Sequence, residues 1–267
     1  MYTLNLLSWN IRGIGKVEKH RAIKKLVVSN DVEILFVQES KLETVDVKLV
    51  KAIWNKAVDN ILFSPARGLS GGILCCWDDN FLMVDFSLIR PNFILFSGMV
   101  TRWKKKCNFV NLYAPNDASD RKTMFLELAN LMSATEGIWI VGGDFNTVRN
   151  HSEKLGFSFN VASMSALDEF IDDSGLVNLS LVGSRFTWSN LRDRVTMCRL
   201  DRVLVSTEVL SLIPGLTLKA LPKSLSDHNP ILVTAECFKS DPKPFKIFTI
   251  GWRTKVSTQC WLLLSRS

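Results

Sequence analysis

The chain has 267 residues, 47% of them hydrophobic, with 33 Lys plus Arg against 26 Asp plus Glu and a formal net charge of +7. That length supports one large core of sandwich type, and no apolar run approaches the span of a bilayer, which excludes a helical membrane protein and a membrane partner. Six cysteines without a CxxC and only three histidines exclude a zinc-type cluster and read as buried, reduced thiols of an intracellular protein. The basic balance favours a polyanionic partner.

Taken in chain order, residues 3–9 read as a strand entered at once, without the basic region and cleavage site of a signal peptide. The segment Asn10-Ile11-Arg12-Gly13-Ile14-Gly15 follows. Ala22, Ile23, Leu26 and Val27 form an apolar stripe that predicts a helix over 18–28. Glu33 to Val37 is a short apolar strand that ends in Gln38-Glu39-Ser40-Lys41 and so sets a carboxylate at a rigid strand end. A second helix is predicted over 46–56.

Ser70-Gly71-Gly72 reads as a glycine turn feeding the strand Ile73 to Trp77; no Gly-Lys-Ser/Thr follows, so it is not a phosphate-cradling loop. Adjacent Cys75 and Cys76 must point to opposite faces of that strand. Residues 81–88, 93–100 and 107–113 are successive strands, with Arg102-Trp103-Lys104-Lys105-Lys106 as a charged hairpin loop. Pro115 stops the last strand and leaves Tyr113 and Asn116 beside a loop.

A helix over 121–133 carries Met124, Phe125, Leu128 and Met132 on one core face. The apolar run Ile138 to Val141 is a buried strand, which Gly142 and Gly143 are expected to break. Asp144 and Asn146 then stand two residues apart and project the same way. A carboxylate and a carboxamide so placed suit proton abstraction and the orientation of a nucleophile; an Asx turn closing the strand accounts for the same residues. A helix is predicted over 163–174 and a strand with a polar end over 184–190. Arg192, Arg194, Arg199 and Arg202 form the densest arginine cluster, with Asp201 inside it, and Ser226-Asp227-His228-Asn229-Pro230 precedes the strand Ile231 to Ala235.

Long runs of strands between helices fit a layered α/β sandwich better than a regular βαβ repeat. A single domain over 1–238 is expected, with 239–267 a polar, proline-bearing tail too short for a core of its own. Asn10, Glu39, Asp144 with Asn146, Asp201, and Asp227 with His228 are five polar strand ends. Four carboxylates gathered in one cleft repel unless a cation is present, and oxygen ligands without cysteine suit Mg²⁺ or Mn²⁺. A histidine oriented by an aspartate can transfer a proton or stabilise charge.

Six motifs occur together: Ser8-Trp9-Asn10-Ile11-Arg12-Gly13, Val37-Gln38-Glu39-Ser40-Lys41, Leu112-Tyr113-Ala114-Pro115-Asn116, Gly143-Asp144-Phe145-Asn146, Arg199-Leu200-Asp201-Arg202 and Ser226-Asp227-His228-Asn229-Pro230. On these the chain resembles the endonuclease/exonuclease/phosphatase superfamily, also called deoxyribonuclease-I-like, over residues 3–237. Ser70-Gly71-Gly72, Phe186-Thr187-Trp188-Ser189-Asn190 and Arg199-Leu200-Asp201-Arg202 point within it to the endonuclease domain of plant LINE-type non-LTR retrotransposons.

The resemblance implies a four-layered α/β sandwich, two packed β-sheets flanked by helices, and a Mg²⁺- or Mn²⁺-dependent enzyme that nicks duplex DNA. Glu39 would be the main metal ligand, with Asn10 and Asp227 nearby. Asp144 would activate the attacking water, Asn146 would orient it, His228 paired with Asp201 would stabilise the phosphorane-like charge, and Tyr113 and Asn116 would contact the scissile phosphate. Whether Asp144 or His228 is the general base stays open. Thr187, Arg192 and Arg194 are further expected phosphate contacts, with Arg185, Arg199 and Arg202 joining them if they reach out of the cleft. Arg12 stands where apurinic endonucleases commonly carry an acid, and Cys198 where they commonly carry Trp, which argues against a second metal and an abasic-site pocket. A DNA substrate implies a nuclear location; a monomer is expected, and the sequence points to no protein partner. Two other readings are a phosphodiesterase or phosphatase of the same fold acting on RNA, nucleotides or inositol phosphates, and a catalytically decayed DNA-binding relic.

Overall fold

Strands buried on both faces need a cover on each side, and that requirement dictates the layers. The computed structural model describes residues 2–68, 70–156, 161–190 and 195–235. In chain order these form β1 (Leu6–Asn10), α1 (Val17–Ser29), β2 (Ile34–Gln38), α2 (Val47–Ile53), β3 (Ile61–Arg67), β4 (Ser70–Trp77), β5 (Leu82–Ile89), β6 (Phe93–Val100), β7 (Lys105–Tyr113), α3 (Ala118–Ala134) and β8 (Ile138–Asp144). They continue as β9 (Lys154–Leu155), α4 (Val161–Ser174), β10 (Val177–Asn178), β11 (Leu181–Val182), β12 (Trp188–Ser189), β13 (Met197–Cys198), β14 (Asp201–Val205), α5 (Thr207–Leu212), β15 (Leu216–Ala220) and β16 (Ile231–Ala235).

One sheet has seven strands in the order β11-β15-β16-β1-β2-β4-β3, a second has six in the order β10-β14-β8-β7-β6-β5, and a small third sheet runs β12-β13-β9. Alternate residues of the two large sheets meet in the middle: Leu6, Phe36, Ile73 and Cys75 of the first pack with Ile94, Phe96, Phe109, Ile140 and Val203 of the second. The outer face of the first, with Leu7, Trp9, Leu35 and Val37, takes Ile23 and Val27 of α1 and Val50 and Ile53 of α2. The outer face of the second takes Met124, Phe125 and Leu128 of α3 and Leu167, Phe170 and Ile171 of α4. The fold is therefore two packed mixed β-sheets flanked by helices, as expected. Each buried Leu, Ile or Phe contributes roughly 1.5–3 kcal/mol relative to exposure.

Several element expectations need correction. Gly142 and Gly143 do not break the 138–141 strand; β8 runs through both to Asp144. Gly71 and Gly72 lie inside β4 rather than in a turn before it, and their carbonyls accept from Lys41 N at 3.1 Å and Ser40 N at 2.9 Å. The strand β3 has no counterpart in the sequence reading because Pro65 interrupts its apolar run; as the edge of its sheet, β3 tolerates that proline. The second helix ends at Ile53, short of 56. In the charged hairpin, Trp103 is buried against Phe81, and Lys105 and Lys106 already belong to β7. The predicted tail, 239–267, lies outside the described residues.

Cys75 and Cys76 face opposite sides of β4, one in the inter-sheet core and one under the helices. Burial pushes the Cys75 thiol up to about 12, which keeps it unreactive. Between the sheets lies one polar pair that pattern reading passes over. Gln38 Nε2 donates to Asn111 Oδ1 at 2.6 Å and to Ser8 Oγ at 3.0 Å, and Asn111 Nδ2 donates to Leu74 O at 3.0 Å. This fully buried bridge fixes the register of one sheet on the other directly beneath Glu39 and Tyr113.

Glu33, at the start of β2, sets a pH dependence of stability. It is buried, and burial pushes its carboxyl up to about 6 against the hydrogen bond from Asn5 N and the charges of Arg102 and Lys56. The folded protein thus binds this proton more tightly than the unfolded chain. The resulting stability is fully present below the unfolded value of 4.5 and is lost as pH rises through about 6. Glu33→Gln keeps an acceptor for Asn5 N and removes the buried charge. It is expected to stabilise the protein by roughly 1–2 kcal/mol at pH 8 and to be near neutral at pH 4. Urea denaturation at the two pH values checks this; equal effects at both would overturn it.

Candidate active site

The site is assembled from strand termini. Parallel pairing of β1 with β2 sets Asn10 beside Gln38, so Asn10 and Glu39 leave the first sheet together. Parallel pairing of β7 with β8 sets Tyr113 beside Asp144, and antiparallel pairing of β8 with β14 sets Asp201 on the other side of Asp144. Residues from five separate stretches of chain thus reach one end of the sandwich because their strands begin or end in register.

Their side chains form a continuous chain of contacts. Tyr113 Oη donates to Glu39 Oε1 at 2.9 Å, Asn10 Nδ2 lies 3.2 Å from Glu39 Oε1, and the same nitrogen donates to Asp144 Oδ2 at 2.8 Å. His228 Nε2 stands 3.8 Å from Asp144 Oδ2, while its Nδ1 is 2.9 Å from Asp201 Oδ2. Asn10, Asp144, Asp201 and His228 are all buried. His228 is held from its backbone as well: Trp9 Nε1 donates to its carbonyl at 3.2 Å, and its N–H donates to Ser226 Oγ at 3.2 Å.

Asn146 forms the Asx turn that its motif allows. Its backbone N–H donates to Asp144 Oδ1 at 2.9 Å, the closure of an Asx turn, with φ at +50°. Its Nδ2 donates to Ala114 O at 2.6 Å, which ties the turn after β8 to the loop after β7. Glu39 and Arg12 have φ near +48° as well. Three non-glycine residues in the left-handed region at one end of the sandwich mark stored backbone strain of the kind that clusters at functional sites.

Charge is distributed unevenly. Burial raises Asp144, and the neighbouring Asp201 carboxylate adds to this, against the pull of His228. Burial alone would lower His228, but Asp201 and Asp144 overcome it and raise the imidazole to about 9. Burial and the Glu39 charge raise the Tyr113 hydroxyl, so it stays a hydrogen-bond donor. At neutral pH the centre therefore holds a positively charged imidazole between two carboxyl groups, one of which is poised toward protonation.

The sequence model of the "Endonuclease/Exonuclease/phosphatase family" matches residues 7–228, which begin in β1 and end on His228. The chain belongs to the endonuclease/exonuclease/phosphatase family. No curated protein matches the chain. Among solved structures, the AP endonuclease LMAP from Leishmania major superposes with a TM-score of 0.69 at 14% identity, covering 87% of this chain and 87% of that one. The 3′ phosphatase NExo (D146N) from Neisseria, bound to a product DNA hairpin, gives 0.67 at 14% identity over 87% of this chain and 99% of that one. The endonuclease domain of TRAS1, a telomere-specific non-LTR retrotransposon, gives 0.63 at 18% identity over 88% of this chain and 100% of that one. At these identities the likeness is one of fold.

Of the other expected site residues, Asp227 and Thr187 adjoin that centre. Asp227 accepts from Trp188 Nε1 at 2.9 Å and from Arg12 Nη1, and these donors with the His228 charge hold it below the usual carboxylate range although burial works the other way. Asn116 is exposed on the rim, and its carbonyl accepts from Arg121 Nη1 at 3.1 Å. Thr187 is buried, and its hydroxyl accepts from Leu200 N and Asp201 N, both at 3.0 Å. It fixes the backbone of Asp201 rather than facing outward. Arg192 and Arg194 lie outside the described residues. Arg199 and Arg202 do not reach out of the cleft. Arg202 is fully buried and grips Glu153 with both terminal nitrogens at 2.6 and 3.0 Å, and Arg199 Nη2 donates to Leu179 O at 2.7 Å. Arg185 is turned onto Ser152 O at 2.6 Å.

Two donor sets bear on a metal. Asp144, Asp201 and His228 bring ligand atoms within 4.8 Å of one another and could hold an ion. In this set His228 Nδ1 pairs with Asp201 Oδ2 and Asp144 Oδ2 accepts from Asn10, while Asp201 Oδ1 is buried without a hydrogen-bond partner. Glu39 and Asp227 offer hard oxygens at the mouth and already share a cation, the Arg12 guanidinium, whose Nε is 3.8 Å from Glu39 Oε2. A positive group seated between two carboxylates fits the demand of this pair for a hard cation. Among the described residues, no helix is long and apolar enough to cross a membrane.

Proposed function

We propose that the protein is a Mg²⁺- or Mn²⁺-dependent endonuclease of retrotransposon type that hydrolyses a phosphodiester to nick duplex DNA. The observation that carries this reading is the unbroken contact chain Tyr113–Glu39–Asn10–Asp144–His228–Asp201, which brings carboxyl groups, an imidazole and a phenol together at one end of the sandwich. Within the family we place the chain with the endonuclease domain of plant LINE-type elements on its motifs Ser70-Gly71-Gly72, Phe186-Thr187-Trp188-Ser189-Asn190 and Arg199-Leu200-Asp201-Arg202.

In this reading Glu39 and Asp227, with Asn10 beside them, hold the divalent ion. That ion supplies neutralisation of charge on the scissile phosphate. Asp144 accepts the proton of the attacking water, since its raised proton affinity suits a base working near neutral pH. Asn146 orients that water or a phosphate oxygen. His228, charged by its two carboxylate neighbours, stabilises the developing phosphorane-like charge, and its charged state argues for Asp144 rather than His228 as the base. Tyr113 donates to the phosphate together with Asn116 on the rim. The enzyme is expected to act as a monomer on nuclear DNA.

Incubation of purified protein with supercoiled plasmid tests this. Relaxed circles are expected with Mg²⁺ and none with excess EDTA. Activity untouched by EDTA would sink the metal assignment. Duplex binding without cleavage would instead support a decayed relic, and hydrolysis confined to RNA, nucleotides or inositol phosphates would move the substrate elsewhere in the family.

A further inference from the structure

The Arg12 guanidinium is not a casual surface group. Its turn is zipped to the turn that carries Glu39: Ile11 N donates to Gln38 O at 3.1 Å, Gly13 N to Glu39 O at 2.6 Å and Ile14 N to Ser40 O at 2.9 Å. Lys19 Nζ clamps the same turn by donating to Ile11 O at 2.6 Å and Arg12 O at 3.0 Å. Arg12 N donates to Asn10 Oδ1 at 3.2 Å, so the turn is also tied to an expected ligand. From this anchored backbone the side chain extends between Glu39 and Asp227 and contacts both. Asp227 is held to receive it by Trp188 Nε1.

The structure thus contains a cation of its own in the seat that the divalent ion is to occupy. We propose that Arg12 is a built-in counter-cation. It closes the Glu39–Asp227 seat in the metal-free protein and competes with the divalent ion, which enters only as the guanidinium leaves. This rests on the metal reading of Glu39 and Asp227 given above, and adds that the affinity of the seat is set by a side chain that binds no metal. The side chain is half exposed, so it can swing into solvent without breaking the core. An apparent dissociation constant rises by the inverse of the fraction of time the seat is open. A guanidinium that occupies the seat nine-tenths of the time therefore weakens ion binding about tenfold.

The test is Mn²⁺ titration of the full chain without DNA, read by loss of the free Mn²⁺ electron paramagnetic resonance signal. Arg12→Gln is expected to bind Mn²⁺ about tenfold or more tightly than wild type, and to show a larger Mn²⁺-induced rise in Tm. Removing any nearby positive charge favours a cation somewhat, so Lys223→Met is the control. Lys223 adds positive charge near Asp227 but donates to Ser189 Oγ at 2.6 Å and does not enter the seat. Its effect on Mn²⁺ affinity is expected to be several-fold smaller than that of Arg12→Gln. Should Arg12→Gln fold poorly, Arg12→Gly relieves the φ of +48° and gives the same readout. Equal affinities in wild type and the Arg12 variants, or equal effects of the Arg12 and Lys223 variants, would overturn the proposal. Plasmid assays on the same preparations separate the two readings. Metal-dependent nicking with unchanged Mn²⁺ affinity removes the competition and leaves the nuclease. Tighter Mn²⁺ binding without any nicking keeps the competition and removes the nuclease.

Discussion

Asp201→Asn is expected to lower the turnover of DNA nicking by roughly 10²–10⁴-fold, with a much smaller change in KM, as in other sites where a buried carboxylate orients a working histidine. Asp201 is buried and has one task visible in the structure, its Oδ2 contact with His228 Nδ1 at 2.9 Å. The amide that replaces it is near-isosteric, so β14 and its pairing with β8 are retained. What changes is charge. Burial works to lower His228, and Asp201 is the largest influence opposing it. With that carboxylate gone, the imidazole is expected to fall from about 9 toward or below its ordinary value of 6.5. It is then neutral over the range in which the enzyme works, and a neutral ring cannot stabilise developing negative charge.

A His228 ring titration by NMR, which has only three histidines to assign, checks the physical cause independently of rate. A mutant with wild-type turnover would show that the pairing is structural. A slow mutant whose His228 still titrates near its wild-type value would place the effect in geometry rather than charge. The pH profile gives the same sign. Activity that requires charged His228 declines as pH rises through about 9 in wild type, and the decline moves to lower pH in Asp201→Asn.

Strand ends are where this site was readable in the sequence. The runs before Asn10, Glu39 and Asp144 are largely apolar because those strands are buried on both faces, so the polar residues that close each run stand out. Which polar ends meet is a matter of strand order, and only the register of β7, β8 and β14 places Tyr113 and Asp201 on either side of Asp144. The arginine cluster was the least legible part. A run of arginines near a carboxylate looks the same in one dimension whether it lines a groove or pairs inside. Arg199 and Arg202 lie inside because Glu153, some fifty residues earlier in the chain, is folded back against them. Gln38 and Asn111 were likewise invisible as a pair, since they lie on strands of different sheets and touch only when the two sheets stack. Phosphate contact on this side of the cleft is thereby narrowed to residues other than Arg199 and Arg202.

Gly143→Ala is expected to destabilise the protein by about 2–4 kcal/mol and to reduce nicking at least a hundredfold. The sequence suggested that this glycine breaks its strand; it instead lets β8 lie close against the neighbouring strand. A Cβ built on Gly143 would lie 2.0 Å from the carbonyl oxygen of Leu112. That oxygen belongs to the backbone of β7, so no side-chain rotation relieves the clash. The φ of +136° adds strain for any residue with a Cβ. Relief requires β7 and β8 to move apart at the Leu112–Gly143 and Tyr113–Asp144 pairs. Those pairs hold the proposed base against the tyrosine that contacts Glu39, so a shift of about 1 Å there is a large loss for chemistry that depends on alignment. Gly15→Ala is the matched control, because a Cβ at Gly15 meets nothing within 4 Å and its φ is unexceptional. It is expected to change stability by no more than about 0.5 kcal/mol. Urea denaturation of both variants, alongside plasmid nicking, gives the comparison. If Gly143→Ala unfolds at the wild-type midpoint, the strand pair can give way without cost, and the glycine is not what holds Asp144 in place.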